Sequence, residues 1–205
     1  MPQHDGIEHV TNVDGLILAG GESNRMGPGN KALATLAGKT LLEHVIDRLN
    51  PQVASILLNG VRSSFDNFPY PVVEDKLDNF QGPLTGLYSA FESGKLTSAD
   101  YVMMVACDGP FFPENLVSKL YCEINKDESD VACVRYQGVA QPMFSLWHKR
   151  TAAIVRKTLL IDKNGGFKPL IGSLRSVYLD WPELSVNPFL NVNTPEDLKF
   201  AETLV

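Results

Sequence analysis

Three cysteines stand in 205 residues, Cys107, Cys122 and Cys133. Their number is odd, none form a C-x-x-C pair, and no histidine lies at zinc-finger spacing from them. This excludes a disulfide-stapled scaffold and points to a free-thiol protein of a reducing, cytoplasmic compartment. Apolar runs are all too short to cross a bilayer. Residues 1–11 have neither the basic start nor the apolar stretch of a signal peptide, and read as a polar extension. Basic runs are also missing: 18 Lys and Arg are scattered among 24 Asp and Glu, for a net charge of −6. Nucleic acid and anionic membranes are therefore not expected partners. A small phosphate ligand is still allowed, because local donors decide its binding. There is no internal repeat, low-complexity tract or linker, so residues 12–205 are expected to form one domain.

What the chain does contain is an alternation of short apolar runs with helical patterns. Strands are expected at Val13–Ala19, Ser55–Asn59, Pro71–Val73, Tyr101–Ala106, Asp130–Tyr136, Gln141–Trp147 and Val177–Asp180. Helices are expected at Thr40–Asn50, Pro83–Phe91, Pro113–Asn125, Thr151–Ile161 and Phe167–Leu174. A last helix follows Thr194, with Pro195 at its first position. Thr40 and Glu43 form a T-x-x-E capping box, and Leu41, Leu42, Val45, Ile46 and Leu49 share one helical face. Leu84, Leu87 and Phe91 should face inward from the second helix. This pattern implies an α/β fold: a single-domain, Rossmann-like three-layer sandwich with a mainly parallel sheet. Ligands of such sheets bind beyond the carboxyl ends of the strands.

The first strand runs into Leu18-Ala19-Gly20-Gly21-Glu22-Ser23-Asn24-Arg25-Met26-Gly27-Pro28-Gly29-Asn30-Lys31. Glycines let backbone N–H groups approach phosphate oxygens. Arg25 and Lys31 add a guanidinium fork and a point charge. The loop is not a P-loop, which ends in G-K-[ST], nor the Rossmann G-x-G-x-x-G fingerprint. By itself it suits either phosphate binding or a plain surface connection. Asp108 follows the strand YVMMVA, where a carboxylate can hold Mg²⁺ against phosphates or simply cap a turn before Pro110. Glu74-Asp75 ends the strand PVV ahead of Gly82-Pro83, and Asn59 ends SILL. The four histidines, His4, His9, His44 and His148, form no evident constellation.

Taken together, L-A-G-G-x-S-x-R-M-G-x-x-x-K, C-D-x-P-F around Asp108, E-D…G-P-L-x-G around Asp75 and Gly82, and N-x-N-T-P-E-D-L around Asn191 and Asn193 resemble the molybdenum cofactor guanylyltransferase family. That family lies within the Rossmann-like nucleotidyltransferases. The resemblance spans roughly residues 13–200 and is best at the loop and at NVNTPEDL. It implies transfer of GMP from GTP to molybdopterin (the molybdenum cofactor), with release of pyrophosphate. It implies GTP contacts from Leu18, Ala19, Gly20, Gly21, Lys31, Asn59, Asp75, Gly82 and Asp108. Asp75 would meet either guanine N1 and N2 or ribose hydroxyls. Asp108 would be the Mg²⁺ ligand, and Lys31, Arg25 and Asp108 the catalytic set. Asn191, Asn193 and Gln141, in the Q-P-x-x-x-L strand, would contact molybdopterin. Molybdenum-insertion proteins and recipient molybdoenzymes or their chaperones would be the protein partners. Gly20-Gly21 favours the guanine branch over the cytidylyl branch, whose loop usually reads L-A-A-G. Two positions depart from the pattern: Asn30 stands where an acidic residue is common, and Lys168 lies near a frequent arginine. The rival readings are a cytidylyltransferase or another nucleotidyltransferase of this fold, a non-catalytic pterin or nucleotide carrier, and an α/β interaction module.

Overall fold

The computed structural model describes residues 10–20, 30–77 and 82–205. Arg25, Gly21 and most of the N-terminal extension lie outside the described residues. The first strand, β1 (Val10–Leu18), begins three residues before the expected start at Val13. After it come a small antiparallel ribbon, β2 (Thr35–Leu36) with β3 (Lys39–Thr40), and helix α1 (Leu41–Leu49). The expected capping box forms at α1. The Glu43 backbone N–H donates to Thr40 Oγ1 at 3.2 Å, and Glu43 Oε2 accepts from the Thr40 N–H at 2.6 Å. The five apolar residues expected on one face are all buried.

Next are β4 (Val53–Asn59), β5 (Val72–Val73), α2 (Pro83–Phe91), β6 (Tyr101–Ala106) and α3 (Leu116–Lys126). The chain ends with β7 (Val131–Tyr136), β8 (Val139–His148), α4 (Ala152–Leu160), α5 (Phe167–Ser173), β9 (Ser176–Trp181) and α6 (Pro195–Glu202). α3 starts at Leu116 rather than Pro113, because Asn115 holds a non-helical backbone conformation. α2 is buried over nearly its whole surface, from Leu84 to Ala90, and not only at the apolar positions.

Seven strands form one sheet in the order β5-β4-β1-β6-β8-β7-β9. All neighbours are parallel except at β8, which runs antiparallel to both β6 and β7. The reversal follows from the turn between β7 and β8. Gln137 and Gly138 both have positive φ, 49° and 77°, the conformation of a tight hairpin turn, and such a turn can join only antiparallel strands.

The core lies on both faces of the sheet. Val13 and Ile17 of β1 meet Val45 and Leu49 of α1 and Leu116 and Leu120 of α3 on one face. Leu16 and Leu18 meet Leu84 and Leu87 of α2, Val155 of α4 and Leu170 of α5 on the other. Alternate residues of one strand thus feed two layers, which gives the expected three-layer sandwich. The register pairs Leu18 with both Asn59 and Ala106, and Asn59 with Val73. Ala19, Gly60, Glu74 and Cys107 therefore emerge side by side at one edge.

Candidate active site

That carboxyl edge gathers most of the expected site residues. The Ala19 N–H donates to the Asn59 carbonyl at 2.8 Å, which continues the sheet one step into the glycine loop. The Asn59 side chain is buried, and its Nδ2 donates to the Val73 carbonyl at 3.1 Å and to Asp75 Oδ1 at 2.8 Å. Asp75 itself is exposed, so Asn59 anchors a carboxylate that faces outward. Gly86 makes this arrangement possible. A β-carbon there would fall 2.3 Å from Asn59 Oδ1 and 2.6 Å from Leu18 Cδ2. Sequence reasoning missed this role; its traces were a glycine inside a helix and the closing glycine of the G-P-L-x-G motif. Gly82 precedes Pro83 at the start of α2 and faces the Gly165 carbonyl, 3.8 Å from where its β-carbon would be.

Lys31 begins a short 3-10 turn, Lys31–Leu33. Asn30 caps that turn, its Oδ1 accepting from the Ala32 N–H at 3.0 Å. Asparagine at the place of the usual acidic residue thus retains an acceptor that fixes the turn. From this turn the Lys31 ammonium reaches Asp108 Oδ2 at 2.5 Å and also donates to Asn193 Oδ1. Both members of the ion pair are largely shielded, with side chains 11% and 18% exposed.

The segment carrying the two asparagines is tied to the same place. The Val192 N–H donates to the Asp108 carbonyl at 2.7 Å. Asp197 accepts from the Asn193 and Thr194 N–H groups, both at 2.9 Å, and closes the capping box of α6. The Asn193 N–H, then the Thr194 hydroxyl and N–H, hold the Asp197 carboxyl below its ordinary value. Asn191 Oδ1 is buried and has no hydrogen-bond partner among the described residues. It lies 3.4 Å from where a β-carbon on Gly109 would sit, and Phe144 Cζ would be 2.5 Å from that same atom. Phe144 packs between Phe112 and Phe189, so an aromatic column supports the turn after Asp108. That support was also missed, since nothing in the local sequence links Phe144 to Gly109.

Gln141 stands on the same side of the sheet. The β6–β8 register ends at Met104 with Ser145; Gln141 precedes Ser145 on the antiparallel strand as Asp108 follows Met104. Its Nε2 donates to the Val139 carbonyl at 3.4 Å. Cys107, beside Asp108, is fully buried, and burial pushes its thiol up to about 12, with the Asp108 charge adding to the effect. It stays protonated and is no nucleophile at neutral pH.

Among the described residues no three His, Cys, Asp or Glu side chains gather into a metal cage. Mg²⁺ that is shared with substrate phosphates needs only one or two carboxylates beside water. Asp108, with the unpartnered amide oxygen of Asn191 nearby, is a hard-oxygen set of that kind, so the residues present fit the ion.

Residues 15–177 match the model of the MobA-like NTP transferase domain. The chain belongs to this family. It is a nucleotidyltransferase, as the sequence motifs led us to expect. It is 37% identical over 186 residues to the molybdenum cofactor guanylyltransferase of Vibrio vulnificus, a match covering 89% of this chain and 91% of that protein. It is 35% identical over 199 residues to the protein of that name from a Bradyrhizobium species, covering 95% and 94%. Among solved structures, molybdopterin-guanine dinucleotide biosynthesis protein A from Archaeoglobus fulgidus has the same fold, with a TM-score of 0.77 at 22% identity over 93% of this chain and 97% of that one. No helix among the described residues is long and apolar enough to cross a membrane.

Proposed function

We propose that this chain transfers GMP from GTP to the terminal phosphate of molybdopterin and releases pyrophosphate. One observation carries the reading beyond the family: Lys31 joins Asp108, at the nucleotide edge of the sheet, to Asn193, in the segment implied to meet the acceptor. In this reading the two substrates' stations adjoin at a single cation.

In this reading the triphosphate lies along the loop from Leu18 to Lys31, with Gly20, Gly21 and Gly82 admitting it closely. Asn59 orients Asp75 toward the guanosine. Asp108 would hold Mg²⁺, which would supply charge neutralisation on the phosphates. Gln141, Asn191 and Asn193 bind the pterin side. An acceptor phosphate oxygen forms a bond to the α-phosphorus. The bond from that phosphorus to the oxygen bridging to the β-phosphorus breaks, and pyrophosphate leaves with the electron pair. A phosphate monoester loses its second proton at about pH 6, so the attacking oxygen needs no protein base. The chain's work is positioning and charge stabilisation. Lys31 and Arg25 would meet the charge that gathers on the leaving group. We place the reaction in the cytoplasm, in accord with three unpaired cysteines. Molybdenum-insertion proteins, recipient molybdoenzymes or their chaperones are the partners this reading implies.

The test is incubation with GTP, Mg²⁺ and molybdopterin, with the product identified by mass. A guanine dinucleotide of the pterin is expected. A panel of triphosphates followed by pyrophosphate release should single out GTP; preference for CTP would sink the guanylyl assignment.

A further inference from the structure

Lys31 is assigned to phosphates and Asn193 to the acceptor, yet their side chains bond each other. An ammonium has three donors and no acceptor. Here it satisfies a carboxylate oxygen of Asp108 and the amide oxygen of Asn193 at once. The Asn193 side chain is free for this because its backbone N–H, not its amide, serves the α6 cap.

We infer that Asn193 is a positioning residue for Lys31, and that the Lys31 ammonium stands in for the divalent cation at Asp108 until nucleotide arrives. The inference rests on the nucleotidyl transfer proposed above. An ammonium and a divalent cation carry like charge and compete for the same carboxylate oxygen. Loading the cation with a triphosphate therefore displaces Lys31 from Asp108 and offers it phosphate oxygens instead. Asn193 Oδ1 then loses its donor and is open to an N–H of the acceptor. Binding energies are linked reciprocally, so an acceptor that takes Asn193 also loosens Lys31 and favours nucleotide. One side chain thereby couples the two substrates, and the acceptor's amide contact is masked until the nucleotide is in place.

Two measurements without acceptor test this. Calorimetric titration with GTP and Mg²⁺ compares the wild type with Asn193→Ala. Removing one of Lys31's two holds should tighten nucleotide binding by about fivefold, the low end of measured couplings. Titration of nucleotide-free protein with Mn²⁺, read by electron paramagnetic resonance, adds Lys31→Met. Both variants should bind Mn²⁺ more tightly than the wild type, a gain that a merely structural role for Asn193 would not produce. Nucleotide affinity that is unchanged or weakened in Asn193→Ala, or Mn²⁺ affinity unmoved in Lys31→Met, overturns the coupling. A wild type that binds no GTP at all sinks the nucleotidyltransferase reading itself, whereas GTP binding with a flat Asn193→Ala response removes only this inference.

Discussion

Two lysine–aspartate pairs stand at opposite edges of the sheet. At the amino edge, Asp14 is fully buried and accepts from Ser55 Oγ at 2.7 Å, Thr97 Oγ1 at 2.7 Å, the Thr97 N–H at 2.9 Å and Lys149 Nζ at 3.1 Å. Lys149 in turn donates to the Thr97 carbonyl at 2.7 Å. Every charge there is met by the chain's own groups. At the carboxyl edge, Asp108 shares one ammonium with Asn193, and Asn191 keeps a buried oxygen without a partner among the described residues. A buried carboxylate ringed by donors is a structural tie. A carboxylate whose surroundings are only partly satisfied has bonding capacity left for a substrate. The same residue types thus do opposite work, and mutating each edge should separate the two.

The largest effect is expected at the carboxyl edge. Asp108→Ala should lower Mg²⁺-dependent GMP transfer by about 10³-fold, while urea unfolding stays near wild type. Retained activity would remove Asp108 as the cation ligand. Lys31→Ala should slow single-turnover transfer by about 10²-fold with the fold intact, and near-wild-type turnover would refute its charge-stabilising role. At the amino edge the pattern should invert. Asp14→Ala leaves Lys149 and two hydroxyl-bearing residues without their acceptor. It should cost about 3 kcal/mol of stability in urea titration, with transfer per folded molecule unchanged. A stable variant with impaired chemistry would break the contrast between the edges.

Gly86→Ala lies between these extremes. Its methyl group would meet Asn59 Oδ1 and Leu18 Cδ2, so it should cost about 1–3 kcal/mol and also weaken GTP binding by displacing Asn59. A loss of stability with GTP affinity intact would detach Asn59 from the nucleotide. The smallest effect belongs to Asp197→Ala, expected to cost about 0.5–1 kcal/mol near neutral pH through the α6 cap. Its carboxyl is held below the ordinary 3.8. The cap's contribution is therefore complete above that value and is lost as pH falls through the lower folded one. Acid unfolding curves of wild type and variant should converge there; a difference that persists in strong acid would point to packing instead.

The layer order of the fold was legible because short apolar runs and helical patterns survive in local sequence. The α1 capping box, the five apolar residues of α1 and the strand YVMMVA all stand where their patterns put them. The direction of β8 was not legible, because Gln137-Gly138 is not the Asn-Gly pair that announces a tight hairpin. The burial of α2 was hidden as well, since Thr85 and Ser89 look like solvent-facing residues. In the site, Asp108, Lys31, Asn191 and Asn193 could each be named from a motif, but the motifs are silent on contacts.

Sequence alone settled which residue types were available and in which elements: a glycine loop after a buried strand, a carboxylate after another, two asparagines before a capped helix. Those follow from interactions between near neighbours in the chain. Only the tertiary structure decided that Lys31 meets Asn193, 162 positions away, and that Asp14 is a buried tie rather than a second site. Such contacts depend on strand order and register, which are set by packing the whole core and leave no mark on any local stretch of sequence.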